Sequence, residues 1–250
     1  LDALAAASGE RGLSSVHALF VDEADRSAFS AAGWLTRRDC QFHWSNRGYR
    51  DFEDFLAGFT AEKRKKARRE RRRVQEAGIH FETRSGRDIA PAELRRAWDL
   101  HRGTFLRHGH EPYLGREFFE LACASFGEAL MFKLAVQGGR IVAAAIFFVG
   151  SDTLYGRYWG ASEHVDFLHF EICYYQAIDA AIDRGLGRVE AGAQGEHKLA
   201  RGYQPTPTFS AHFIPHEGFR RAVSDYLQAE REAVAHHGEA LSDYVPFRKS

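Results

Sequence analysis

Between Glu190 and Arg201 the stretch EAGAQGEHKLAR gathers Glu190, Gln194, Glu196, His197, Lys198 and Arg201 around Gly192 and Gly195, with Gly202 just beyond. Acids, bases and donors at this density, on a loop broken by glycines, suit chemistry that moves a proton and stabilises developing charge. Upstream, LYGRYWGA offers Arg157, Tyr158 and Trp159, and the next helical stretch adds His169 and Glu171. Glu171 stands out on phase. With Asp166 as N-cap and about 100° per residue, Leu168, Ile172, Tyr175, Ile178, Ile182 and Leu186 share one arc, and Glu171 falls inside it. A carboxylate on a core-facing stripe is costly unless paired, hydrogen-bonded or protonated. Two roles therefore stand for Glu171: an ion pair with Arg157 or Arg201, or a desolvated base. His169, Gln176 and Asp183 fall on the opposite, wetter side.

Several elements must hold these residues in place. Periodicity and turn residues predict strands at Leu130–Gln137, Arg140–Val149 and Thr153–Ala161, joined by Gly138-Gly139 and by Gly150-Ser151-Asp152 as an antiparallel meander. The helix described above follows, then short strands at Arg188–Ala193 and Thr206–Ile214 and a last helix from Phe219. Before the meander come a strand at Ile79–Arg84 and helices at Pro91–Leu106 and Arg116–Phe126. Ser14–Val21, Glu23–Ala32 and Trp34–Trp44 read as strand, helix and strand, too little core for a domain by themselves. Phe52, Phe55, Leu56 and Phe59 form a helical stripe, and Thr60 caps a helix over Ala61–Ala77 that Gly78 closes.

That last helix, AEKRKKARRERRRVQEA, carries nine Lys or Arg against two Glu between Glu62 and Arg73, in a chain of net charge zero. Its apolar face is limited to Ala67, Val74 and Ala77, so it is expected to be a solvated linker that presents charge. Lys65, Arg68, Arg69 and Arg72 are then candidates to bind the phosphates of a polyanion.

At 250 residues with 44% hydrophobic and 13% aromatic content, the chain is an ordinary globular sequence. Its longest apolar run, Ile141–Val149, is too short to span a bilayer, and no signal-peptide layout is present, so a cytoplasmic setting is expected. Cys40, Cys123 and Cys173 lack CxxC spacing, which disfavours a disulfide framework or a cysteine zinc site. His101, His108, His110 and Glu111 do not make a metal site, because Gly103, Gly109 and Pro112 break the helix that would align them. No HExxH pattern or serine-hydrolase context appears.

The order of helices and strands is α+β and is similar to the acyltransferase fold of the Gcn5-related (GNAT) superfamily, a mixed, largely antiparallel sheet with flanking helices. At GRYWGASEHVDFLHFEICYYQAI and EAGAQGEHKLARGYQP the chain resembles the FemAB-like N-acyltransferases of peptidoglycan biosynthesis or recognition. The resemblance extends from the basic helix to about the last helix. Fem-type proteins carry two GNAT-like domains in tandem, which implies residues 1–48 as the remnant of a first domain, 49–78 as a helical linker and 79–250 as the acyltransferase domain.

Transfer of an acyl or aminoacyl group to an amine, without metal or covalent intermediate, is the activity the resemblance implies. Such a site holds donor carbonyl and acceptor amine in contact, takes a proton from the amine and stabilises the oxyanion. Glu171, His197, Lys198, Glu196 and His169 are the catalytic candidates, with Arg157, Tyr158, Trp159, Glu190, Gln194 and Arg201 as substrate-binding ones. No bound cofactor is expected; the donor is acyl-CoA or aminoacyl-tRNA, and the acceptor an amine-bearing small molecule or peptide. In GNAT acetyltransferases a glycine-rich turn before the central helix cradles the coenzyme A pyrophosphate. Here the turn reads GASEHVDF, and Glu163 and Asp166 disfavour an anion there. That gives weight to aminoacyl-tRNA, or to a donor held by a first domain; the basic helix suits tRNA and equally a nucleotide-linked or other anionic acceptor. The competing reading is a non-catalytic module that binds nucleic acid or another polyanion on a GNAT-like scaffold.

Overall fold

A computed structural model describes residues 1–192, 195–242 and 245–248. The chain forms two compact units, Leu1–Gln41 with Pro205–Tyr244, and Phe42–Gln204 with Val245–Ser250.

In chain order the elements are α1 (Asp2–Glu10), β1 (Val16–Leu19), α2 (Glu23–Ala31), β2 (Leu35–Ser45), α3 (Phe52–Ala57), α4 (Ala61–Glu76), β3 (Ile79–Ser85), α5 (Pro91–Arg107), α6 (Arg116–Phe126), β4 (Leu130–Gln137), β5 (Arg140–Val149) and β6 (Thr153–Ala161). There follow α7 (Leu168–Phe170), a π-helical turn (Glu171–Tyr175), α8 (Gln176–Asp183), β7 (Arg188–Glu190), a 3-10 turn (Glu196–Arg201), β8 (Gln204–Phe213) and α9 (Glu217–Ser242). The class is α+β, with a largely antiparallel sheet.

In the first unit β1 pairs antiparallel with β8, Val16 opposite Phe213, and Phe29, Trp34 and Ala211 form a small core. In the larger unit the strand order runs β7-β6-β5-β4-β3, with the last residues of β2 beside β7. Gly138 and Gly139 both have positive φ, 55° and 75°, the geometry that a tight turn between β4 and β5 demands. On one face Leu94, Leu100 and Phe119 from α5 and α6 pack against Phe132, Leu134 and Ile146. The approach of α5 is close at Gly160, where a Cβ would stand 2.0 Å from the carbonyl oxygen of Leu100. Lys133, which alternates with Phe132 and Leu134, points to the other face and donates to Gln176 of α8 at 3.3 Å, so the α7–α8 helix covers that side.

One pairing in the larger unit is parallel. β6 and β7 run together only from Thr153 opposite Arg188 to Tyr155 opposite Glu190. Because β7 ends there while β6 continues to Ala161, the two strands part beyond Tyr155. The crossover between them is the α7–α8 helix, which a parallel connection needs.

Candidate active site

The opening between β6 and the end of β7 holds a cavity of about 110 Å³. Gly156, Arg157, Tyr158 and Trp159 of β6, His169, Cys173 and Tyr174 of the helix, and Ala191 and Gly192 after β7 line it, above Ala145 and Phe147 of β5. Segments that the sequence singled out separately thus meet around one space.

The helix presents its residues here by means of the π turn. Phe167, not Asp166, precedes its first turn, at a left-handed φ of 66°, and Asp166 is exposed. An extra residue per turn between Glu171 and Tyr175 shifts the phase that a uniform helix would have, and such turns recur at functional sites. His169 therefore does not lie on a wet face. It lines the cavity with its ring 4.4 Å from that of Trp159, and burial, with smaller contributions from His197, Arg201 and Lys198, lowers its pKa to about 4.

The 3-10 turn carries His197 and Lys198, which do not line the cavity themselves but bond to Tyr174 and Gly192, which do. Lys198 is 1% exposed and donates from Nζ to the carbonyl oxygen of Gly192 at 2.6 Å. Burial lowers its pKa to about 8. The His197 ring is bonded through Nε2 to the hydroxyl of Tyr174 at 2.9 Å, and its pKa is lowered, first by burial and then by Arg201 and Lys198. Glu196 is exposed on the same turn, and Arg157 is exposed on β6 at the cavity edge. Glu190 ends β7, 3.8 Å from His43 and 3.5 Å from Arg188. Gln194 lies outside the described residues.

Two expected roles change. Arg201 does not line the cavity: it is 4% exposed and donates from Nη2 to both carboxylate oxygens of Glu70 at 3.0 and 2.9 Å. Glu171, 3% exposed, pairs with neither Arg157 nor Arg201 but with Arg71 of α4, whose Nε donates to Oε1 at 3.2 Å. Gln176 donates to the same oxygen at 2.8 Å, and Arg71 also holds Asp179 at 2.5 Å. Burial still raises the pKa of Glu171, an effect that Arg71 and Gln176 only partly oppose. Its place is behind the cavity wall rather than on it.

The basic helix is likewise more than a solvated linker. Ala67, Glu70 and Val74 are buried and Arg71 is largely so, at the i, i+3, i+4, i+7 spacing of one face. Apolar counting missed this face because half of it is charged. Arg71, expected beside Arg68, Arg69 and Arg72 as a cation for a polyanion, is instead held inside by Glu171 and Asp179, and Glu70 had one signal in the sequence: a lone acid inside KARRERRRV. Lys65, Arg68, Arg69 and Arg72 do project to solvent, Arg68 paired with Glu53 and Arg72 3.6 Å from Glu76. Among the described residues no group of three or more His, Cys, Asp or Glu could hold a metal, and His101 sits instead among the rings of Phe105, Phe119 and Tyr158.

An α+β sheet whose parallel pair parts around a small cavity, with a helical crossover and donors at its rim, is the design of a GNAT-like acyltransferase. The chain belongs to the FemAB-like family (peptidoglycan biosynthesis/recognition), which it matches over residues 1–249. Among solved structures it is similar to L-PGS from Bacillus licheniformis, with TM-score 0.64 and 11% identity over 90% of this chain and 76% of that one. The C-terminal domain of a putative lysylphosphatidylglycerol synthetase from Agrobacterium fabrum gives 0.63 and 11% over 90% and 74%, and FemX gives 0.59 and 10% over 89% and 78%. At these identities the likeness concerns the fold. No curated protein matches the chain. Among the described residues no helix is long and apolar enough to cross a membrane.

Proposed function

We propose that the protein transfers an aminoacyl group from aminoacyl-tRNA to an amine of a peptidoglycan-related acceptor, with the β6–β7 cavity as the transfer site. The observation that carries this reading is the convergence of β6, the π turn and the Ala191-Gly192 step after β7 on one cavity, with buried Lys198 bonded to the carbonyl oxygen of Gly192. In this reading the donor carbonyl lies in the opening where β6 loses its partner strand. Lys198, at a pKa of about 8, stabilises the oxyanion. His197, kept neutral and reachable from solvent, takes the proton of the attacking amine, and Tyr174 orients its ring. His169 is the weaker base, since its pKa of about 4 leaves little driving force for proton transfer at neutral pH.

Three features favour aminoacyl-tRNA over acyl-CoA. The family works in peptidoglycan biosynthesis or recognition and uses aminoacyl-tRNA. The turn between β6 and α7 carries exposed Glu163 and Asp166, which repel a pyrophosphate. The outer face of α4 offers Lys65, Arg68, Arg69 and Arg72 to a phosphate backbone. The likeness to lysylphosphatidylglycerol synthetase domains also keeps lipid acceptors in the test. Purified protein is incubated with aminoacyl-tRNA or with acyl-CoA, each with an amine-bearing peptidoglycan peptide or a phospholipid, and products are read by mass. An aminoacylated peptide formed only from aminoacyl-tRNA is expected; product from acyl-CoA alone contradicts the donor, and a phospholipid product contradicts the acceptor.

A further inference from the structure

We infer that Glu70, on the basic helix α4, is a positioning residue of the transfer site, acting through Arg201 on the turn that carries His197 and Lys198. The inference rests on the transferase reading above. Glu70 is 1% exposed, with Arg68, Arg69, Arg71 and Arg72 around it in sequence, and a carboxylate so buried needs specific partners. It has two. Arg201 donates to both its oxygens, and the hydroxyl of Tyr175 donates to Oε2 at 2.7 Å.

Each partner leads to one side of the cavity. Arg201 donates from Nη1 to the carbonyl oxygen of His197 at 2.7 Å, and its guanidinium lies 3.4 Å from the centre of the Phe170 ring. Held at both ends and on one face, it fixes the backbone between His197, whose ring bonds to Tyr174, and Lys198, whose Nζ bonds to Gly192. Tyr175 closes the π turn, whose Cys173 and Tyr174 are cavity wall. One carboxylate on α4 thus ties the loop side of the cavity to its helix side. Arg201 reaches Glu70 through Nη2 and the His197 carbonyl through Nη1; a lysine at 201, with one nitrogen, does not span both, and an amide at 70 removes the charge that the guanidinium faces.

The test compares Glu70→Gln, Arg201→Lys and Val74→Ala with the wild type in the aminoacyl-transfer assay and in amide hydrogen exchange. Glu70→Gln keeps shape and accepts from Tyr175 but lacks the charge; Arg201→Lys reports on the same contact should Glu70→Gln not fold. Val74→Ala loosens the same helix without touching Arg201. Expected for both polar variants is a fall in kcat of roughly 100-fold with KM within about twofold, as misplacement of reacting groups produces. Exchange should quicken across 195–202, while Val74→Ala lowers the melting temperature and leaves kcat unchanged. Wild-type kcat in a folded Glu70→Gln, or an equal loss in Val74→Ala, overturns the inference. If the wild type transfers nothing, it is the transferase reading that fails, and unaltered exchange across 195–202 in Glu70→Gln would then reject the positioning role independently.

Discussion

Arg71 and Arg72 are neighbours in sequence, about 100° apart around α4, and meet different surroundings. Arg71 is buried against the ring of Phe52, 4.2 Å from its centre, and pairs with Glu171 and Asp179; Arg72 stands in solvent opposite Glu76. Burial is the largest influence on Arg71 and disfavours its charge, yet Glu171 and Asp179 together outweigh it and hold the guanidinium charged. The same side chain is thus a structural part on one face of the helix and a surface cation on the other. Helical phase decides which, and composition cannot.

If this contrast is right, substitutions along α4 should separate by face rather than by residue type. The largest effect belongs to Glu70→Ala, which strands the buried Arg201 and should destabilise the protein by about 3–5 kcal/mol, read from urea unfolding. Arg71→Ala, where the arginine keeps some exposure to solvent, should cost about 1–3 kcal/mol. Acid sharpens the comparison at sites away from the helix. Burial holds His43, His101 and His169 at about 4, below the ordinary histidine value of 6.5. The unfolded chain therefore binds more protons between those values, and stability should fall as the pH drops from about 6.5 to 4. His101→Phe, which suits the cage of Phe105, Phe119 and Tyr158, should flatten that slope. A slope unchanged in the variant would remove His101 from the account.

The smallest effect on stability should come from the outer face. Lys65→Gln, Arg69→Gln and Arg72→Gln should each shift unfolding by less than about 0.5 kcal/mol. Each should also make the slope of log affinity for tRNA against log salt shallower, by roughly 0.7–0.9 for every phosphate the protein no longer neutralises. A large drop in stability from Arg72→Gln would erase the distinction between the faces.

Much of this organisation was legible in the sequence because it rests on local signals. The meander followed from strand alternation and from Gly138-Gly139, and the bounds of α4 from Thr60 and Gly78. Glu171 was recognised as misplaced from phase alone, and the structure does bury it. What could not be read was its partner. Arg71 is 100 residues away, and nothing in either segment marks the other. The cavity side of His169 was hidden for a different reason: a uniform 100° step does not foresee a π turn, and the inserted residue turns His169 away from its expected direction. Glu70 and Arg201 both stand in view as charged residues, but a pair that meets in the interior has no apolar pattern to betray it.

The cavity between β6 and β7 is the proposed transfer site, with Lys198 as its charge-stabilising group. Its most direct test is single-turnover transfer from aminoacyl-tRNA by Lys198→Met, beside the melting temperature of the same variant. Methionine fills similar space and removes a buried ammonium, so the fold should stay close to wild type in stability. The rate of transfer should fall by roughly 100-fold or more. A variant that melts like the wild type and transfers at the wild-type rate would contradict the account and move the chemistry away from this cavity.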